Sequence, residues 1–235
     1  MKTTDLIAEI LKRNSVSNVF GLQGGAVVHI FDSLIKKKIN VTFTHHEESA
    51  ALAAVSNAKV CQEIGCAVVT TGPGSTNALT GLLAAWQDSI PVIFISGQAR
   101  SSHTSYGKKV RQVGTQEVNI CDIVRPITKY TKFINKKEQV YNEFVKAIKI
   151  AKSGRPGPVW IDLALEVQWQ IIKKKYNLKK ILIKNEIRQN NLKIKKITNI
   201  INNSKKPLFV IGHGVRSSKI RSDYLKKFFL KKNIP

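Results

Sequence analysis

The chain has 235 residues, with 39 lysines and arginines against 15 aspartates and glutamates, for a formal net charge of +24. Its 43% hydrophobic content can bury one sizeable domain and part of a second. The cysteines Cys61, Cys66 and Cys121 show no Cys-x-x-Cys spacing, which excludes a disulfide framework or zinc site, and no apolar run reaches the ~18 residues of a membrane helix.

The first segment has Leu6, Ile7, Ile10 and Leu11 as an apolar helix face, with Asp5 and Glu9 between them. Two acids in that pattern argue against a signal peptide, so a reduced cytoplasmic protein is expected. From there to about residue 165 strand-like and helix-like segments alternate. Val19-Phe20 predicts a strand, and Val27 to Lys37 a helix entered through Gly24-Gly25. Val41 to Thr44 predicts a strand, and Glu47 to Gln62 an alanine-rich helix. Ala67 to Thr71 predicts a strand, Ser75 to Trp86 a helix, and Pro91 to Ser96 a fully apolar strand. Short continuous apolar runs suit strands buried on both faces, so the expected fold is α/β, a parallel sheet with helices on both faces.

Residues 99–115 lack periodicity and read as a long loop. Val118 to Val124 reads as helical, Ile127 to Phe133 as extended, Glu138 to Lys152 as a helix ended by Gly154, and Pro158 to Leu163 as a last strand. Residues 166–190 turn to Gln, Lys, Asn and Ile and are expected to be a linker. Residues 191–235 read as an incomplete second α/β domain. It has a helix near Leu192, a strand over Leu208 to Ile211, and the turn Gly212-His213-Gly214-Val215-Arg216.

The positive charge crowds the second half, as in Lys173-Lys174-Lys175 and Lys195-Lys196, interleaved with Ile and Asn. That mixture follows from an AT-rich coding bias. With no zinc-finger, RNP-like or basic-zipper pattern, it predicts a solvated surface rather than a specific nucleic-acid partner. The histidines His29, His45, His46, His103 and His213 show no metal-ligand spacing. In open α/β sheets ligands bind outside the carboxyl ends of the strands. The chemistry is therefore expected where Glu47 and the turn Gly72-Pro73-Gly74 follow neighbouring strands.

The ordered set Phe20-Gly21-Leu22-Gln23-Gly24-Gly25-Ala26, His46-Glu47, Thr71-Gly72-Pro73-Gly74-Ser75-Thr76-Asn77, Asp88-Ser89-Ile90-Pro91, Gly97-Gln98, Gln116-Glu117, Ile127-Thr128-Lys129 and Ser153-Gly154-Arg155-Pro156-Gly157-Pro158-Val159 resembles the N-terminal, pyrimidine-binding domain of thiamine-diphosphate enzymes of the acetolactate synthase family. The resemblance covers residues 1–165 and continues more weakly into the family's central domain. It implies a large catalytic subunit, or part of one, that decarboxylates pyruvate and passes the two-carbon unit to a 2-keto acid. Homodimers or tetramers, with no membrane association, are implied as well.

On this resemblance Glu47 is the catalytic acid that protonates N1′ of the aminopyrimidine, and Gln116 an amide directed at the reacting centre. Glu48 lies one residue out of register and is expected to be an exposed helix-terminal acid. Gln23, Gly24, Gly25, Pro73 and Asn77 join Glu47 and Gln116 in the thiamine diphosphate pocket. Arg155, Gly212 and Gly214 match residues near FAD. Mg²⁺ and the diphosphate are held in the family's C-terminal domain, so no metal ligand is expected here and the chain alone is expected to be inactive.

Leu22-Gln23 stands where the family usually has Tyr-Pro, and Thr115 where a Phe precedes the glutamine. Val55-Ser56-Asn57-Ala58-Lys59 stands where it has Glu-Gly-Tyr-Ala-Arg. These departures lean toward relatives that transfer an acetyl unit to a keto-sugar nucleotide. A non-catalytic domain kept for dimerisation or cofactor-pocket binding is the reading from another class, and intact Glu47 and Gln116 favour an enzyme over it.

Overall fold

Three runs, Gly65–Val69, Val92–Gln98 and Val159–Ala164, are buried at every position. A strand with no solvent face must sit inside a sheet covered on both sides. In the computed structural model these runs are β3, β4 and β6, the centre of a six-stranded sheet of order β2-β1-β3-β4-β6-β5. The other strands are β1 (Asn18–Gly21), β2 (Asn40–Phe43) and β5 (Tyr130–Ile134), and every pairing is parallel. The structure describes residues 1–178, 181, 191–212, 214–215 and 222–232. They belong to two units, Met1–Lys184 and Asn185–Pro235.

Side chains alternate across the sheet, so each strand feeds two cores. Cys66, Val68, Ile93, Ile95, Val159, Ile161 and Leu163 face a core shared with Leu6, Leu34 and Phe144. Those three belong to α1 (Thr3–Arg13), α2 (Val28–Lys36) and α7 (Lys137–Lys152). Ala67, Val69, Val92, Phe94 and Trp160 face the other core, with Ala51, Ala54, Leu82 and Val124. These come from α3 (Glu47–Cys61), α5 (Leu79–Gln87) and α6 (Ile120–Val124). The Phe94 and Trp160 rings stack with centroids 5.2 Å apart.

The parallel α/β fold expected from the apolar runs is the fold observed. Two elements differ in detail. The helix expected over Ser75 to Trp86 is split into α4 (Pro73–Thr76) and α5, and the segment expected to be extended from Ile127 begins with a 3₁₀ turn over Arg125–Ile127.

Residues 166–178, expected to be linker, pack back on the first unit. They start in the short helix α8 (Leu165–Gln168), Gln168 is buried, and the Ile172 amide donates to the Met1 carbonyl at 2.9 Å. The rest of the expected linker lies outside the described residues, apart from residue 181. In the second unit α9 (Asn191–Asn203) forms near the expected helix and α10 (Ser222–Lys232) follows. Leu208 to Ile211, expected to be a strand, is not one. Val210 is 90% exposed, and the unit has no other strand among its described residues to supply ladder hydrogen bonds. His213 and Arg216 of the expected turn lie outside the described residues.

Candidate active site

β1 and β3 are neighbours, but β1 leads on to β2 and β3 to β4 on the opposite side. Their outgoing loops therefore part and leave a crevice at the carboxyl edge, the position where open α/β sheets bind ligands. The loop after β1 holds Gly24, the loop after β3 holds Thr70 to Gly72 and runs into α4 with Gly74, and Glu47 opens α3 just beyond β2. The strands before Glu47 and the glycine turn, expected to be neighbours, have β1 between them.

Thr70 sits between the two glycine turns. A Cβ at Gly24 would lie 2.6 Å from the Thr70 side chain, and one at Gly74 would lie 2.5 Å from it. The same Gly74 Cβ would lie 3.0 Å from Glu47 Oε1, so the absent side chain leaves room for the carboxylate. Glu47 is 6% exposed. Its Oε2 accepts a hydrogen bond from Asn77 Nδ2 at 3.0 Å. Glu47 is also the first residue of α3, where the helix dipole favours a negative charge. His46 caps that helix by accepting the Glu48 amide on Nδ1 at 3.2 Å. Glu48 itself is half-buried rather than fully exposed.

Gln116 approaches from the long loop between β4 and α6. Its backbone is left-handed, with φ of 58°. The Thr71 hydroxyl lies 3.3 Å from the Gln116 carbonyl. Gly72 must be glycine on two counts. Its φ is 61° with ψ of −126°, and a Cβ there would lie 2.1 Å from the Gln116 carbonyl oxygen. The Gln116 side chain is exposed, as are Gln23, Gly25, Pro73 and Asn77.

A buried polar group underlies this loop. On the face where Phe94 and Trp160 are apolar, the next residues toward the carboxyl ends are Ser96, Gln98 and Asp162, all buried. Ser96 pairs with Asp162 in register. Asp162 Oδ1 accepts from Ser96 Oγ at 2.6 Å, and Oδ2 accepts from Gln98 Nε2 at 2.9 Å and Tyr106 OH at 3.0 Å. Burial pushes the Asp162 carboxyl up to about 6, opposed by these three donors and reinforced by the negative charge of Glu117. Burial also raises the Tyr106 hydroxyl, which keeps its proton to donate. Glu117 in turn accepts from the Ser105 amide at 3.1 Å and the Val113 amide at 3.0 Å, closing the loop on itself.

The structure thus brings Glu47, Asn77, Gly24, Gly74 and the Gln116 turn to one edge of the sheet. Arg155 lies at the other edge, just before the start of β6, where its Nε donates to Ser89 Oγ at 2.7 Å just before β4. Gly212 and Gly214 are exposed in the second unit. Sequence reasoning missed Asp162 and left Gln98 without a role. The signal was present: one acid inside the otherwise apolar Val159–Ala164 has to be held by donors.

Residues 1–123 match the family described as thiamine pyrophosphate enzyme, N-terminal TPP binding domain. The acetolactate synthase large subunit of Buchnera aphidicola subsp. Schizaphis graminum is 36% identical over 240 residues, covering 98% of this chain and 40% of that protein. The probable acetolactate synthase large subunit of Methanocaldococcus jannaschii is 35% identical, covering 96% of this chain and 38% of that protein. The Haemophilus influenzae large subunit is 32% identical, with 98% and 40% covered. The chain spans about two fifths of the length of these relatives.

Proposed function

This chain belongs to the thiamine pyrophosphate enzyme family, and from that premise we propose that it forms the pyrimidine-binding part of an acetolactate synthase-like large subunit. The reaction in this reading is decarboxylation of pyruvate and transfer of the two-carbon unit to a second 2-keto acid. The observation that carries it is the placement of Glu47. It is a buried carboxylate at the switch-point crevice, oriented by Asn77 and lying over a glycine where a side chain would intrude.

The residues present fit an aminopyrimidine ring. A flat heterocycle needs an acid at one ring nitrogen and backbone it can approach closely. Gly25, where a side chain would meet nothing within 4 Å, would leave that approach open, while Gly24 and Gly74 let the two turns close on Thr70 beside Glu47. When bound, thiamine diphosphate supplies the nucleophilic carbon that attacks the keto group of the substrate. Glu47 would hold a proton at the ring nitrogen, and Asn77 would keep the carboxylate from turning away. Gln116, at the rim, would offer its side-chain amide to an oxygen that gains charge during the reaction. The exposed Pro73 and Asn77 support a site completed by a second subunit, as part of the same proposal.

The test is hydrogen–deuterium exchange at C2 of bound thiamine diphosphate, followed by NMR in the whole protein. Glu47→Gln keeps the shape and loses the proton donor, so exchange should slow by ~10²–10⁴-fold, the usual contribution of a positioned acid. Glu48→Gln should change it far less. Exchange as fast in Glu47→Gln as in wild type would remove the acid role from Glu47. A larger loss in Glu48→Gln would show that the register is off by one residue.

A further inference from the structure

The loop from Ala99 to Asn119 carries Gln116 and has little regular structure, so something else must hold it. Besides the Ser101 bonds to Glu166 at its start and the stacking of Tyr106 on Phe133, its ties to the sheet converge on one pair of buried side chains, Asp162 and Gln98. Tyr106 donates to Asp162, and the Cys121 amide donates to the same Tyr106 hydroxyl at 3.2 Å. Gln98 Nε2 donates to the Val118 carbonyl at 2.8 Å as well as to Asp162. Gln98 Oε1 accepts from Thr71 Oγ1 at 2.7 Å and from the Ala99 amide at 2.9 Å, and Thr71 is the residue against the Gln116 carbonyl.

We propose that Asp162, acting through Gln98 and Tyr106, is the positioning residue that holds the Gln116 loop against the Gly72 turn. An ionised carboxylate only accepts hydrogen bonds. It therefore turns the Gln98 amide group toward itself, which leaves the Gln98 oxygen facing Thr71. Thr71 and the Ala99 amide select the same orientation from the other end. The side chain that sets the direction of this chain of bonds is 0% exposed and touches no part of the crevice described above. Asp162 is thus not a catalytic residue. It acts on the site by fixing where the Gln116 turn lies, and the importance of that turn rests on the function proposed above.

The experiment is amide exchange by mass spectrometry on the full chain, comparing wild type with Asp162→Asn. Asparagine matches the shape but carries no charge and only one acceptor oxygen, so it either turns its amide nitrogen on Gln98 and Tyr106 or meets them with neutral bonds about half as strong. Segments spanning 104–118 should exchange roughly tenfold or more faster, as expected when a hydrogen bond to a charged group is lost and local opening becomes easier. Amides of β3 and β4 should stay protected. Equal loosening of the sheet and the loop would mean a general structural role and would overturn the proposal, as would an unchanged loop. Thr71→Val keeps the test decisive if Asp162→Asn does not fold. It removes the Thr71 bonds to Gln98 and to the Gln116 carbonyl, leaves those of Asp162 to Gln98 and Tyr106 in place, and should loosen the segment around Gln116 while the Tyr106 segment stays protected.

Turnover in the whole protein separates the two readings. If both hold, Asp162→Asn lowers kcat, and combining it with Gln116→Ala costs little beyond Gln116→Ala alone. A freed loop with turnover indifferent to Gln116→Ala would leave the anchor standing and remove Gln116 from the reaction.

Discussion

Asp162 and Glu47 are both buried acids, and the difference between them is the set of donors around each. Asp162 has Ser96, Gln98 and Tyr106, and burial still leaves its carboxyl up at about 6 against an ordinary value of 3.8. The native state therefore holds a proton that the unfolded chain has released between those two pH values. The resulting stability is fully present below about 3.8 and is lost as pH rises through about 6. At 1.36 kcal/mol per unit the loss is about 3 kcal/mol, an order-of-magnitude figure. Glu117, Tyr106 and Cys121 are the titratable groups around it, and the two latter keep their protons well above this window. Urea denaturation at a series of pH values should show wild type losing stability relative to Asp162→Asn between pH 4 and 7. Parallel curves would show that the carboxyl titrates at its ordinary value. At this scale Glu47 was legible from its place after a strand, whereas Asp162 was legible only as an acid in an apolar run. Its three partners come from β4 and the distant loop, and no spacing along the chain reveals them.

At the scale of elements, turns and caps matter more than propensity. Gly72→Ala would add backbone strain of about 1–3 kcal/mol at a φ of 61°. It would also press a Cβ into the Gln116 carbonyl, 2.1 Å away. The expected outcome is a lower denaturation midpoint together with faster exchange around Gln116. Lys129 does a different task at the far edge. Its ammonium donates to the Ser153 carbonyl at 2.6 Å and to the Ile150 carbonyl, closing the end of α7. Partial burial lowers its pKa. Lys129→Met keeps the stem and leaves those carbonyls without their donor, so it should cost ~1–2 kcal/mol in chemical denaturation. The helices and strands themselves were readable from apolar periodicity. The break between α4 and α5 was not, because it falls at Asn77-Ala78, where Asn77 turns its amide to Glu47 on another helix.

At the scale of the molecule, the first unit draws its stability from two cores on either side of one sheet. Phe144 is fully buried on α7, so Phe144→Ala should cost ~3–5 kcal/mol. Val60, 71% exposed on α3, should tolerate Val60→Ala within about 0.5 kcal/mol in the same urea titration. A smaller difference between the two would mean that α7 does not form the wall of that core. The sequence alone determined the α/β class, the parallel sheet, and the placing of Glu47 and the Gly72-Pro73-Gly74 turn at the carboxyl ends of its strands. Each follows from local patterning: continuous apolar runs, helix-opening residues and glycine turns are properties of neighbouring positions. Only the tertiary structure decided the strand order, and with it the crevice between β1 and β3. It alone showed that Arg155 lies at the opposite edge from Glu47, and that Asp162 is linked through Gln98 to a loop far along the chain. These depend on which strands become neighbours, a choice made by packing two faces at once. Leu208 to Ile211 shows the same limit from the other side, since an apolar run becomes a strand only when another strand meets its backbone.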